Sequence, residues 1–172
     1  KFYSDKKNKG FKLKILNYIE SKYHKLVVLS KEEFTFYKSK NVVVIPNPVI
    51  IKSVKELKPI EHRALVATTV VRFAPVKRLE LLIEVWNVFS KLNSNWKLLI
   101  YGSLDNLYAT KIQQLVKNNN LEQSILFKGE TNTVLEELSK ARVVLLTSAQ
   151  ECFPMLILEA NSVGTPVISF DC

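Results

Sequence analysis

The stretch RALVATTVVRFAPVKRLELLIEVWNVFSKLNSNWKLLIYG, residues 63–102, contains a complete strand–helix–strand pattern. Two short runs, 63–70 and 95–102, are apolar on both faces, which indicates strands that are covered on both sides of a sheet. Between them, residues 78–92 repeat large apolar side chains at the spacing of an amphipathic helix. A strand, a crossover helix and a second strand predict a βαβ unit with parallel strands.

The same alternation continues to the end of the chain. We predict helices over 106–119, 133–141 and 155–164, and strands over 124–129, 142–148 and 166–170. The order from residue 63 predicts an α/β fold, a Rossmann-like doubly wound parallel sheet with helices on both faces. Ligands of such sheets bind at the carboxyl ends of the strands, which selects the loops 71–77, 102–106, 129–132 and 147–154.

The amino-terminal part of the chain follows a different pattern. We predict, in order, a helix, a strand, a helix and a strand over 11–23, 26–30, 31–39 and 41–45. Pro46 and Pro48 then end the strand, and the charged, aperiodic stretch 50–62 is typical of a linker. We therefore place a domain boundary near residue 47, with one region over 1–47 and another over 48–172.

Positive charge is concentrated near the amino terminus. The net charge is +9, and residues 1–40 hold eleven of the 25 lysines and arginines but four of the 16 acids. A basic end on a nearly balanced body suits an anionic lipid surface or another polyanion, although a solubilising lysine-rich tail explains the same pattern. No RNA-binding or helix-turn-helix signature accompanies it, so nucleic acid is not an expected partner.

The sequence carries no signature of a metal site or of a membrane span. The two cysteines, Cys152 and Cys172, form no CxxC pair, and two histidines are too few to complete a zinc site with them. The chain has no D-x-D, the clustered oxygen ligands that a divalent metal usually needs, so we expect no metal. We also expect no cofactor. No apolar run approaches the length that a bilayer requires. Because the chain begins at Lys1 and its single methionine is Met155, we expect it to be part of a longer protein.

The first selected loop, VRFAPVK (71–77), contains two cations. Arg72 and Lys77 lie between a strand end and a helix start, where fixed positive charges and free N–H groups suit a pyrophosphate. The loop is neither G-x-G-x-x-G nor a P-loop, which disfavours a dehydrogenase or a P-loop NTPase. Two solvated basic residues are the alternative interpretation of this loop.

The last selected loop leads into ECFPMLILE (151–159), which has two acids eight residues apart. With Pro154 at the first helical position, Glu151 lies in the loop and Glu159 in the second helical turn. Helical side chains lean toward the amino terminus, so both carboxylates are expected at one pocket mouth, where they suit vicinal sugar hydroxyls. Free N–H groups near Met155 and Leu156 suit a phosphate oxygen. The alternative is an amphipathic helix with one acid facing solvent.

A known family has such motifs in the same order. The motifs lie between about residue 26 and residue 172, and in chain order they are VVVIPNPV, VVRFAPVKRLELLIEVW, WKLLIYG, ILFKG, VVLLTSAQECFPMLILEA and GTPVISFDC. Through them the chain resembles the retaining glycosyltransferases of family 4. Those enzymes have the two-domain GT-B fold. The E-x7-E element from Glu151 to Glu159 is the most specific part of the match. The ending FPMLILEANSVGTPVISFDC is similar to the bacterial branch that builds surface polysaccharides, such as capsule, from UDP-sugars.

The resemblance implies a role for each matching residue. Arg72 and Lys77 would contact the donor diphosphate, Glu159 the ribose hydroxyls and Glu151 the donor hexose. Arg72, Lys77 and Glu151 would thus be the catalytic residues, with no metal. The other implied donor-binding residues are Phe153, Pro154, Met155, Leu156, Lys128 and Gly129. The family commonly has glycine where this chain has Val71, Arg78, Cys152 and Pro154.

The resemblance also implies what the two regions do. Region 1–47 is similar to the tail end of the amino-terminal acceptor domain with its hinge, and region 48–172 to a nucleotide-sugar-binding domain that is incomplete at its carboxyl end. The implied partners are a nucleotide-sugar donor, a glycan or lipid-linked acceptor and an anionic membrane surface. We expect a cytoplasmic hexosyltransferase, peripheral on the cytoplasmic membrane face, and we expect this chain alone to be inactive.

Two other functions fit part of the pattern. A flavodoxin-like or receiver-like binding module has the same alternation of strands and helices, but a receiver needs acids after its first strand, where this chain has Arg72. A UDP-sugar epimerase with the GT-B fold is the second alternative. The order of E-x7-E and GTPVISFDC favours a transferase over it.

Overall fold

The computed structural model describes residues 11–34, 37, 41–48, 54, 57–151 and 153–171. The chain divides into two compact units, Lys1–Pro48 and Val49–Cys172. This division lies beside residue 47, the boundary expected from the sequence. The origin of the first unit in an acceptor domain stays a prediction.

The first unit contains a two-stranded parallel sheet and two helices. In chain order they are α1 (Phe11–Ser21), β1 (Leu26–Val28), α2 (Lys31–Phe34) and β2 (Val42–Val44). The two strands pair in register, with Leu26 opposite Val42. The predicted helix over 31–39 is too long, because Tyr37 is not helical, and its residues 35, 36, 38 and 39 lie outside the described part.

The second unit alternates strands and helices throughout. Its elements are β3 (Val66–Val70), α3 (Leu79–Leu92), β4 (Lys97–Tyr101), α4 (Leu107–Asn118), β5 (Ile125–Gly129), α5 (Val134–Lys140), β6 (Val143–Leu146), α6 (Met155–Ser162) and β7 (Val167–Ser169). Single 3₁₀ turns occur at Ile60–His62 and Pro75–Lys77. Within the described ranges, none of the helices has the length and apolar character to cross a membrane.

The five strands of the second unit form one parallel sheet in the order β5-β4-β3-β6-β7. Alternate residues of a strand face opposite sides of a sheet. On β6, Val143 and Leu145 pack against the cluster that contains α3 and α4, whereas Val144 and Leu146 belong to the cluster that contains α5 and α6. Helices therefore cover both faces, which confirms the predicted Rossmann-like, doubly wound α/β fold.

Hydrogen bonds fix the start of α4 and the end of α6. The Asn106 side-chain oxygen accepts a hydrogen bond of 2.9 Å from the Ala109 N–H and begins α4. At the end of α6, the N–H of Thr165 donates to the Ala160 carbonyl over 2.9 Å. Gly164, between α6 and Thr165, has φ of 65°, the left-handed conformation that glycine adopts without steric cost. The predicted end of this helix at Gly164 is thereby explained.

Arg63 is a structural residue rather than the first residue of a strand. The strand predicted over 63–70 begins only at Val66, because Arg63 is buried and its guanidinium connects three segments at the amino end of the sheet. It donates to the main-chain oxygens of Lys58, Ala141 and Val163 and to Thr165 Oγ1, over 2.6–3.2 Å. Burial lowers the pKa of Arg63, and these four bonds compensate for its lost hydration.

We predict that Arg63→Lys destabilises the protein by about 3 kcal/mol, since an ammonium group cannot reach the same set of acceptors and leaves buried carbonyls unsatisfied. Chemical denaturation of the intact protein measures this change. Arg142→Lys is the matched control, because Arg142 donates to the Arg63 and Glu61 carbonyls from a less buried position. Equal destabilisation by the two variants would contradict the role given to Arg63.

Candidate functional site

The candidate site lies where the strand order of the sheet reverses. The chain leaves β3 toward β4 on one side, and β6 pairs with β3 on the other side, with Ala67 opposite Val143. The loops after β3 and β6 therefore open a crevice at the carboxyl edge of the sheet, where parallel sheets bind ligands.

Two hydrogen bonds hold these loops together. The Thr147 hydroxyl donates to the Lys77 carbonyl over 2.9 Å, and the Ala149 N–H donates to the Val76 carbonyl over 2.8 Å. Both acceptors lie in the 3₁₀ turn Pro75–Lys77 that precedes α3. The loop after β3 is thus fixed to the loop after β6, although the two are far apart in the sequence.

The crevice contains a cavity of about 360 Å³. Eight of the ten residues singled out from the sequence line it: Arg72, Lys77, Glu151, Phe153, Pro154, Met155, Leu156 and Glu159. The remaining described lining residues come from the ends of β3 and β6: Val70, Val71 and Leu146. Two cations, two carboxylates and the start of α6 therefore surround one cavity.

The two cations differ in their partners. Lys77 Nζ forms an ion pair of 2.5 Å with Glu151 Oε1, and their side chains are 19% and 16% exposed, so solvent screens the pair only partly. Arg72 is exposed, and no described residue accepts a hydrogen bond from its guanidinium. The Arg72 guanidinium can therefore contact an anion without first breaking a bond to the protein.

Glu159 is the carboxylate of the cavity for which the described residues provide no partner. It is half-buried in α6, and among the described residues none donates a hydrogen bond to its carboxylate. Burial raises the pKa of Glu159, since removal from water disfavours the charged form. A desolvated acceptor beside a cavity is suited to paired hydroxyl donors from a ligand.

The sequence pattern predicts Pro154 as the first helical residue of α6, but in the structure it lies one residue before the helix begins. Its ψ of 89° is not helical, so it precedes the first helical residue, Met155, instead of being that residue. The lack of an N–H in proline is harmless here, because the first N–H groups of a helix have no partner within the helix. The Met155 and Leu156 N–H groups begin α6 at the cavity, at the positive end of the helix dipole.

Lys128 and Gly129 do not line this cavity. They end β5, which is separated from β3 by β4. The Gly129 carbonyl instead accepts a hydrogen bond of 2.8 Å from the Gly102 N–H. Their assignment to donor binding stays a prediction.

Gly102 is required by the close approach of the loop after β3. A Cβ atom at this position would come within 2.0 Å of the Val71 carbonyl oxygen, and the φ of Gly102 is 147°. Any larger residue would displace Val71, which lines the cavity beside Arg72. The glycine that ends the predicted strand 95–102 thus contributes to the shape of the site.

A second cavity, of about 580 Å³, lies at the opposite end of the same sheet. Lys58, His62 and Arg63 line it together with residues of α5. It is larger, but ligands of open parallel sheets bind at the carboxyl ends of the strands, so the smaller cavity is the candidate site.

In the part of the chain that the structure describes, no group of three or more His, Cys, Asp or Glu residues could hold a metal ion. The expected absence of a metal stays a prediction.

Sequence reasoning missed two residues of the site. Ser148 donates a hydrogen bond of 2.6 Å to Glu151 Oε1, and Thr147 holds the loop that carries Lys77. The sequence around them, two hydroxyl residues at a strand end with a serine three residues before an acid, is not distinctive, because the same serine–acid spacing occurs in helix capping boxes. Arg78, at the start of α3, has φ of 48°, a conformation that favours the glycine common in the resembling family.

The fold is a Rossmann-like α/β domain with a charged cavity where its strand order reverses. The chain belongs to the family described as "Glycosyl transferases group 1", which matches residues 51–172. This match includes every residue of the 360 Å³ cavity.

Individual relatives agree with the family. An uncharacterized glycosyltransferase of Haemophilus influenzae is 28% identical over 152 residues, 86% of this chain and 42% of the relative. The lipopolysaccharide 1,6-galactosyltransferase of Salmonella typhimurium is 31% identical over 140 residues, 78% of this chain and 38% of the relative. The crystal structure of a mutant of S. aureus TarM with Fondaparinux, alpha-GlcNAc-glycerol and UDP is similar at a TM-score of 0.78 and 26% identity, over 95% of this chain and 34% of that one. The chain therefore spans less than half the length of each.

We predict that Glu159→Gln raises or preserves the melting temperature at pH 7. The pKa of folded Glu159 lies above the ordinary value of about 4.5, so the folded state binds the proton more tightly than the unfolded state. The stability that Glu159 contributes is thus fully present below the ordinary pKa. It falls as the pH rises from that value through the higher pKa of the folded state. Below the ordinary pKa the Glu159 carboxyl is protonated in both the folded and the unfolded state. Any increase in melting temperature that Glu159→Gln gives at pH 7 should therefore disappear there.

Thermal unfolding of the intact protein at pH 7 and pH 3.5 (roughly one unit below the ordinary pKa) measures this effect. Glu84→Gln, on the exposed side of α3, is the matched control and should change little at either pH. A lower melting temperature of Glu159→Gln at pH 7 would show that the ionised carboxylate is stabilising and would refute the argument.

Proposed function

We propose that this chain forms the donor-binding part of a retaining glycosyltransferase that uses a UDP-sugar. The observation that carries the proposal is the set of two cations and two carboxylates around one cavity at the strand-order reversal. TarM, which is 26% identical to this chain, has been crystallised with UDP, and this supports a uridine nucleotide as the ligand. Relatives named as glycosyltransferases support sugar transfer.

The residues divide between the parts of such a donor. Arg72 and Lys77 bind the diphosphate, with the first N–H groups of α6 contributing partial positive charge. Glu159 accepts hydrogen bonds from the ribose hydroxyls, and Glu151 from hydroxyls of the hexose. Two cations can neutralise the diphosphate, so this arrangement works without a divalent metal.

The proposed reaction retains the configuration of the transferred hexose. The bond from the anomeric carbon to the UDP oxygen breaks, and the acceptor oxygen bonds to the anomeric carbon on the same face. A donor phosphate oxygen takes the acceptor proton. Arg72 and Lys77 stabilise the charge that grows on the departing diphosphate, and such fixed electrostatic stabilisation is often the largest contribution to catalysis.

The acceptor is a growing cell-surface polysaccharide, such as capsule, or a lipid-linked glycan. The Salmonella relative, named as a lipopolysaccharide galactosyltransferase, supports this class of acceptor. The chain covers 38% of that relative, so transfer should require the rest of the protein. Sugar transfer by the 172-residue chain alone would contradict that expectation.

We predict that the intact protein binds UDP more tightly than ADP or GDP, and that Glu159→Ala and Lys77→Ala each weaken UDP binding by roughly 10- to 100-fold. This range corresponds to the loss of about 1.5–3 kcal/mol from hydrogen bonds to a charged group. Isothermal titration calorimetry measures the affinities.

Exposed residues of the same types provide the controls for this titration. Glu84→Ala and Lys91→Ala, both on α3, should leave UDP binding unchanged. The proposed site would be wrong if wild-type affinity for UDP persisted in Glu159→Ala and Lys77→Ala.

We further propose that the first unit contacts the cytoplasmic membrane face. On α1, Ile15, Tyr18 and Ile19 are exposed at helical spacing beside Lys14, and the Lys22 ammonium lies 5.0 Å from the Tyr18 ring centroid. Apolar side chains flanked by lysines are typical of helices at an anionic lipid surface.

Flotation with phosphatidylglycerol-containing and purely phosphatidylcholine vesicles tests this contact. We predict binding to the anionic vesicles alone, and its loss in high salt, because salt screens the attraction between lysines and lipid. Binding that is equal on both vesicle types, or insensitive to salt, would contradict an electrostatic contact.

A further inference from the structure

We propose that Ser148 is a positioning residue that keeps the Glu151 carboxylate in place while Lys77 binds the donor diphosphate. The inference rests on the proposed function and adds a residue to it. Ser148 is 3% exposed and is the second residue after β6. It therefore acts from the protein interior rather than from the surface of the cavity.

One oxygen of Glu151 accepts both of the hydrogen bonds that described residues donate to this carboxylate. Ser148 Oγ lies 2.6 Å and Lys77 Nζ 2.5 Å from Glu151 Oε1. Among the described residues, none donates to the other oxygen, Oε2. The carboxylate is thus held at one end, and its second oxygen is available to hydroxyl groups of a ligand in the cavity.

The two donors respond differently to an anionic ligand. A diphosphate carries more negative charge than one carboxylate, so it attracts the Lys77 ammonium and weakens the Lys77–Glu151 ion pair. It also repels Glu151. The Ser148 hydroxyl is neutral and buried, so a diphosphate does not attract it away from Glu151, and its bond to Oε1 can persist when the lysine side chain moves.

The main chain around Ser148 is fixed on both sides. Thr147, the preceding residue, is 7% exposed and its hydroxyl donates to the Lys77 carbonyl. The N–H of the following residue, Ala149, donates to the Val76 carbonyl. Because Ser148 lies between these two attachments, its hydroxyl can restrict Glu151 without moving itself. Lys77 keeps its backbone position while its flexible side chain turns toward the ligand.

The test separates the hexose contribution from the nucleotide contribution. Calorimetry on the intact protein measures the affinity for UDP and for three UDP-sugars: UDP-glucose, UDP-galactose and UDP-N-acetylglucosamine. The affinity for the UDP-sugar that binds most tightly, divided by the affinity for UDP, gives the UDP-sugar/UDP affinity ratio. In Ser148→Ala we expect UDP affinity within about twofold of wild type and a ratio lowered about tenfold, the loss of one charge-assisted hydrogen bond. Ser148→Thr keeps a hydroxyl and should restore the ratio.

Ser139→Ala is the matched control. Ser139 is a similarly buried serine, 6% exposed, whose hydroxyl donates to the Glu136 carbonyl in α5, away from the cavity. Its replacement should leave both affinities unchanged, and the melting temperature of every variant shows that it is folded.

Each contrary result has a distinct meaning. An unchanged ratio in Ser148→Ala, or a parallel loss of UDP and UDP-sugar binding, would overturn the positioning role and leave the proposed function intact. Failure of the wild-type protein to bind UDP or any of the UDP-sugars would overturn the proposed function and the role of Ser148 with it.

Discussion

The parallel pairing of β3 with β6 is the constraint on which the site depends. These two strands run in the same direction, and their following loops lie at the same edge of the sheet. The hydrogen bonds from Thr147 and Ala149 to the turn before α3 then hold the two loops together. The loop that carries Lys77 and the loop that carries Glu151 thereby line one cavity, although these two residues are 74 positions apart in the sequence.

The charged side chains that line the cavity are only partly paired with other described residues. Glu159 is desolvated without a described donor, and Arg72 is without a described acceptor. The buried polar network at the opposite end of the sheet, centred on Arg63, has its hydrogen bonds made within the protein. This contrast is expected where one edge of a sheet binds ligands and the other holds the fold together.

Much of this fold follows from local sequence patterns, but the contacts within the site do not. The apolar runs and helical spacing give the order of elements, and the strand-end rule selects four loops, of which 71–77 and 147–154 line the described cavity. They do not reveal that Arg63 bonds to main-chain oxygens before β6 and β7, because such contacts depend on tertiary structure. Ser148 carries no distinctive signal of its own, since a serine at a strand end has many uses. The family resemblance implies a donor-binding role for Lys128 and Gly129, but neither residue lines the described cavity.

The proposed function places the diphosphate and the ribose of a UDP-sugar in the cavity between the loops after β3 and β6. A crystal structure of the intact protein with UDP tests it directly. We expect the diphosphate within hydrogen-bonding distance of Arg72 and Lys77, and the ribose hydroxyls on Glu159. UDP bound elsewhere, such as in the cavity beside Lys58 and His62 at the opposite end of the sheet, would contradict this placement.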